Sequence, residues 1–346
     1  MALKPGQISK WILTSIPVAI IALCLLHLLY PVKKTSSSRP SRVANGVPPS
    51  PARNSYAYDA KVLWEVSPAL IGYKEVPPIP FPEGFATPAA LAADNAGNAY
   101  LADTGGLLVK ISPSSAETAR WNLAGTPEAL TVDDSGNIAI AYSEHCEILA
   151  PNGSVKLKTR RFPKGAIATS AALDDENLYI ADAGNRLIYR YSTGNGLPSG
   201  EIGRADKAKG FMGLIIPSPY FDIAISPDGA LWAANTGLHE LISFSPDGTP
   251  RCSWEKRSTG VEGFSGCCNP SHFAFMPDGA FITAEKNIPR VKTYAPTGRF
   301  LSVVVPPAAF AENAIILDVA YDSKNDFVLL LETKTKAIRR FEKKQR

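Results

Sequence analysis

The chain has 346 residues, 45% of them hydrophobic and 20% charged, enough to bury a full core and more than one compact non-repeating domain needs, so a repeat architecture or two domains is expected. Its 29 prolines and 26 glycines exclude a mainly helical protein and suit short strands joined by many turns. The formal net charge of +4 gathers at the two ends, around residues 33–42 and 334–346, so no basic face is predicted on the folded part and nucleic acid is not an expected partner.

In chain order, residues 1–10 form a short tail carrying Lys4 and Lys10. Residues 11–32 are predicted to be a transmembrane helix, because WILTSIPVAIIALCLLHLLY holds no formal charge over about the twenty residues that a bilayer core requires. Trp11 and Tyr30 stand where interfacial aromatics are favoured, and Pro17 lies near an end where membrane helices accept proline. The stretch lacks an Ala-x-Ala-like exit, which predicts an uncleaved signal anchor rather than a removed signal peptide. The basic residues Lys33, Lys34, Arg39 and Arg42 follow closely, and counted by the positive-inside rule they would hold the folded part in the cytoplasm. The expectation adopted is nevertheless an extracytoplasmic domain, since an anchor serves most simply to tether a domain on the far side. Residues 33–60, rich in Ser, Pro, Arg and Asn, read as a flexible linker.

From residue 61 to 346 one pattern recurs six times: an apolar strand, a turn with Asp, Gly or Asn, a second strand, an acid or amide, then a third strand. The copies begin at Pro88, Pro127, Thr169, Tyr220, Pro270 and Ile316, and the first turn, at Gly97, Gly136, Gly229, Gly279 and Asn325 in five of the six copies, advances by about 46 residues per copy on average. That is the period of a four-stranded propeller blade, so the predicted fold is an all-β six-bladed β-propeller after an N-terminal transmembrane helix. The last copy is one strand short. Residues 61–66, KVLWEV, alternate correctly to supply it and close the ring.

The segments ADAGNRLIYRY and AANTGLHELISFSPDG resemble the NHL repeat, with an Ala-Asp step, a Gly-Asn or Asn-Arg turn and a strand ending in Phe or Tyr. The resemblance covers about residues 85–342 and is sharpest in the third and fourth copies. The stretch from Phe264 to Phe300 also resembles bacterial membrane-anchored NHL-repeat proteins. This implies the fold and says little of activity.

Aligning the repeats brings Ala90, Ala129, Asp222, His272 and Asp318 to the start of the inner strand. Asp103, Tyr142, Asp182, Asn235 and Glu285 end the second strand, and Leu331 and Glu332 share that place in the last copy. Both sets are expected to converge on one channel mouth. Oxygen ligands from Asp222, Asn235, Glu285 and Glu332 would suit Ca²⁺; the plainer reading is that each second-strand acid caps turn N–H groups. His145 and His239 fall in loops on the same expected face as His272. Cys267 and Cys268, just before His272, would suit a soft metal such as copper or zinc, a vicinal disulfide, or a staple to Cys252, whereas Cys146 reads as a buried small hydrophobe. No nucleophile elbow, phosphate loop or zinc-protease helix is present. Two functions follow as expectations: a membrane-tethered binding or scaffolding module for a protein or small ligand, or a metal-dependent hydrolase, lactonase or lyase acting at the channel mouth.

Overall fold

The computed structural model describes residues 63–345. The predicted tail, transmembrane helix and linker lie outside the described residues, and among those described no helix is long and apolar enough to cross a membrane.

The chain enters through a 3₁₀ turn at Pro68–Leu70 and the strand β1 (Tyr73–Pro80), then builds five blades in succession. The first contains β2 (Pro88–Ala93), β3 (Ala99–Asp103), β4 (Leu107–Ile111) and β5 (Glu117–Asn122), and the second β6 (Ala129–Val132), β7 (Ile138–Ala141), β8 (Cys146–Leu149) and β9 (Val155–Lys158). The third comprises β10 (Ala168–Leu173), β11 (Asn177–Asp182), β12 (Leu187–Ser192) and β13 (Pro198–Ile202); the fourth, β14 (Ile223–Ile225), β15 (Leu231–Asn235), β16 (Glu240–Phe244) and β17 (Pro250–Glu255). The fifth has β18 (His272–Phe275), β19 (Phe281–Glu285), β20 (Arg290–Tyr294) and β21 (Phe300–Val305), and the sixth β22 (Ile316–Asp322), β23 (Phe327–Glu332) and β24 (Ala337–Lys343). Each predicted repeat falls in one blade. Within a blade, strands pair antiparallel in chain order from the axis outward, and the inner strands adjoin around the ring, β22 meeting β2.

The strand that completes the sixth blade is β1, not residues 61–66. Its register on β24 runs Tyr73↔Lys343, Glu75↔Phe341 and Ile79↔Ile338, with an irregularity between Val76 and Ile79. That irregularity holds Pro77 and Pro78, which argue against a central strand but are tolerated at a bulge on an outer edge. Of the expected KVLWEV strand, the described residues 63–66 carry a turn and no strand. Arg339 fastens the closure with a bidentate ion pair to Glu75, both bonds at 2.8 Å.

A small blade cannot hide its own faces, and the core accordingly forms between blades, one apolar cluster at each of the six interfaces. Ile282 and Val291 of the fifth blade meet Val319, Val328 and Leu330 of the sixth. Between the fourth and fifth the contact is aromatic, with Trp254 tilted at 4.6 Å from Tyr294 and edge-on at 5.1 Å to Phe281. Each such aliphatic or aromatic side chain contributes about 1.5–3 kcal/mol through burial. Turns between first and second strands use the expected glycine at φ near +80°, as at Gly279.

Candidate functional site

The acids and amides that end the second strands do not face the channel. Asp103 accepts from the Leu107 N–H at 2.8 Å and from the Ala86 N–H at 2.6 Å. Asp182 accepts from Ile167 at 2.8 Å, Gly184 at 2.8 Å and Asn185 at 3.1 Å, all through one oxygen. Asn235 accepts from Ile215 N–H at 2.7 Å and donates to Glu240 at 2.8 Å. In each case the side chain, about 1% exposed or less, ties the turn after the second strand to the segment leading into the inner strand. Glu332 accepts from the Lys334 N–H at 2.6 Å. Glu285 is instead engaged by Arg290 at 2.8 and 2.9 Å and by Lys292 at 2.9 Å, in a buried triad. The expected convergence of Asp103, Asp182, Asn235, Glu285 and Glu332 on a channel mouth is thus corrected: backbone N–H groups otherwise left unpaired claim Asp103, Asp182, Asn235 and Glu332, and the Arg290 and Lys292 side chains claim Glu285.

The inner strands do converge. Ser170, Asp222 and Asp318, with Leu130, form a belt that divides the channel. On the side where inner strands begin lies a narrow pocket of about 40 Å³, lined among others by Glu128, Thr169 and His272. On the opposite side the channel widens into a cavity of about 800 Å³. The wide end is therefore opposite to the one the sequence suggested. Small side chains open it, with Ala92, Ala171, Ala224, Ala274 and Ala320 all on its wall. Its rim carries Asp94, Asp133, Asp134, Asp174 and Asp175, and no lysine, arginine or histidine lines it. These rim acids, and Ser170, were missed in the sequence because turn aspartates look the same whether they merely cap a turn or also face a cavity. The available signal was an alanine-rich inner strand followed at once by one or two aspartates.

Asp222 and Asp318 join blades. Asp222 accepts the Ser170 hydroxyl proton at 2.6 Å and the Phe273 N–H of the next blade at 2.7 Å, while Asp318 accepts the Leu91 N–H across the closure at 3.1 Å. Burial pushes the Asp222 carboxyl up to about 6 against hydrogen bonds that favour its charge. Burial and the neighbouring Asp222 charge raise Asp318 well above the usual carboxylate range. His272, its ring edge-on to Tyr220 at 6.3 Å, is pushed down to about 4 by burial and is neutral at pH 7. Among the predicted mouth residues, Asp222, His272 and Asp318 are the ones the fold brings together.

The histidines do not share a cavity. His145 bonds Glu147 at 3.3 Å, and His239 lies in the turn after β15 with a buried Nδ1 that has no partner, its imidazole held low by burial and by Arg257. Cys146 is fully buried, and Cys252 lies on the outer strand with its sulfur 3.0 Å from Ser243 Oγ. Cys267 and Cys268 hold their sulfurs 2.7 Å apart. Cys146, Cys252, Cys267 and Cys268 are free thiols, so no staple joins Cys252 to the pair. Among the described residues no group of three or more His, Cys, Asp or Glu is arranged to hold a metal ion, neither the expected Ca²⁺ set nor Cys267, Cys268 and His272. Asn235 and Glu285 are already committed to other partners, which accounts for the first of these.

No family model matches the sequence, and no curated protein does. Among solved structures the chain is similar to a streptogramin B lyase, at TM-score 0.57 and 11% identity over 80% of this chain and 100% of that one. It is similar to a catalytically inactive histidine-to-alanine variant of virginiamycin B lyase from Staphylococcus aureus with quinupristin, at 0.53 and 12% over 76% and 82%. A protein of unknown function from Bacteroides caccae aligns at 0.52 and 13% over 69% and 87%. Such identities show a shared propeller fold and nothing of activity.

Proposed function

We propose that this protein is a membrane-tethered, NHL-type binding module whose central cavity receives a cationic group, an amine or guanidinium on a small molecule or on a loop of a protein partner. One observation carries the reading: a cavity of about 800 Å³ is lined by seven aspartates and by no basic side chain. A concave wall of one sign focuses its field on the interior, and the volume falls in the range of small-ligand sites. Phe275 and Tyr321 on the wall add faces on which a cation can rest. The anchor at residues 11–32 belongs to the same reading and is supported by the uncharged stretch, while the extracytoplasmic side rests on the argument that an anchor serves to tether a domain across the membrane.

The test is calorimetric titration with spermidine and with arginine methyl ester. One-to-one binding is expected that weakens as salt rises from about 50 to about 300 mM. It should be lost when the exposed rim acids are neutralised together as Asp134→Asn and Asp175→Asn. Absence of binding by either cation, or equal binding by the double variant, rejects the reading.

A second reading, a metal-dependent hydrolase, lactonase or lyase, keeps one observation in its favour, that Asp222, Asp318 and His272 line one narrow pocket, although they are not arranged to hold an ion as they stand. The fold neighbours named as lyases are consistent with it. A stoichiometric ion retained by the purified protein through dialysis supports this reading, and an ion-free protein that still binds cations supports the first.

A further inference from the structure

Cys267 and Cys268 lie in the loop between β17 and β18, and both flanks of that loop are pinned. Phe264 is buried in the aromatic interface between the fourth and fifth blades. Asn269 donates to Ser265 O at 2.8 Å and accepts from the Lys286 N–H at 2.9 Å. Between these anchors Cys268 adopts φ +63°, a left-handed conformation that a cysteine rarely takes, and its sulfur comes to 2.7 Å from that of Cys267. Cys267 is exposed and Cys268 is only 2% exposed. The other described cysteines have different surroundings, Cys252 beside Ser243 and Cys146 inside the interface between the second and third blades.

We propose that Cys267 and Cys268 are a two-electron redox site that hydroperoxides oxidise to a disulfide closed within the loop. The exposed Cys267 sulfur attacks the outer oxygen of the hydroperoxide, the O–O bond breaks, and the alcohol departs with the thiol proton, leaving a sulfenic acid on Cys267. The buried Cys268 sulfur then attacks the Cys267 sulfur, the S–O bond breaks, and hydroxide leaves with the Cys268 proton as water. Two electrons pass from the two sulfurs to the O–O bond, and the products are one disulfide, one alcohol and one water. The Cys268 thiol holds the Cys267 thiol above its ordinary range while Lys286 opposes it, which lowers the thiolate fraction and slows the attack.

The full chain is reduced, desalted, treated with hydrogen peroxide, alkylated in denaturant and digested with trypsin. Cleavage after Arg257 and Lys286 leaves Cys267 and Cys268 in one peptide, while cleavage after Arg251 and Lys256 puts Cys252 in another. The expected product is the first peptide unalkylated and lighter by two hydrogen atoms than its reduced form, with Cys252 still alkylated. In Cys268→Ser the sulfenic acid should persist on Cys267 and be captured by dimedone. A peptide cross-linked to Cys252, an alkylated pair after peroxide, or sulfinic acid on Cys267 beside alkylated Cys268 overturns the proposal.

Discussion

Asp222 sits where three blades meet, and its carboxyl accepts hydrogen bonds from Ser170, Ile223 and Phe273. Because its folded pKa, about 6, lies above the ordinary value of 3.8, the folded state binds its proton more tightly than the unfolded state. Below about pH 4 both states are protonated and nothing is lost. As pH rises from 4 to 6 the unfolded carboxyl ionises first, so stability falls through that window, by roughly 3 kcal/mol at most. Asp222→Asn removes the titration while keeping an acceptor, so denaturant midpoints from pH 4 to 7 should show the wild type losing ground to the variant as pH rises. A gap independent of pH would mean the carboxyl ionises normally. Asp182 teaches the opposite case, a buried acid with four N–H donors and no access to the channel. Asp182→Ala should cost about 2–4 kcal/mol in urea unfolding, since it orphans several donors at once, and a loss under about 1 kcal/mol would show that water replaces them. The residue types at these two places were legible in the sequence. What was not legible was direction: whether a strand-end acid turns to the axis or back to its own loop depends on which N–H groups the neighbouring segments leave unpaired.

At the scale of elements, blade count, blade boundaries and the missing sixth outer strand all followed from the period, because turn chemistry and alternation repeat faithfully. The identity of the closing strand did not, because KVLWEV has the better alternation and YKEVPPIP carries two prolines. The ring decides otherwise: an outermost edge needs few donors, and Tyr73 and Ile79 fill places against Phe341 and Ile338 that only a strand ending near Phe81 can reach. A chain beginning at Ser67 should therefore unfold at the same denaturant concentration as one beginning at Lys61. A chain beginning at Phe81 loses the burial of Tyr73 and Ile79, about 3–6 kcal/mol together, and exposes the free edge of β24. It should be strongly destabilised or aggregate. Equal stability of all three would place closure elsewhere.

For the whole molecule, the sign of charge is segregated, acidic in the central cavity and basic at the two chain ends. The basic residues after position 32 favour a cytoplasmic propeller, whereas an anchor would serve most simply to tether a domain beyond the membrane. These two physical arguments compete, and composition alone does not rank them, since the rule of basic residues weighs short flanks while long domains translocate largely regardless of charge. The carboxyl end provides the means to decide. It leaves β24 at Lys343 beside the edge strand β1, at the rim of the ring, so an added domain does not interrupt a blade. Alkaline phosphatase fused after Arg346 should be active if the propeller is extracytoplasmic, because that enzyme needs an oxidising compartment for its disulfides. A silent phosphatase together with a fluorescent cytoplasmic reporter at the same position would show that the basic flank governs. Cys267 and Cys268 would then face a reducing pool, and their disulfide would form only in the presence of peroxide and be reversed once it is removed.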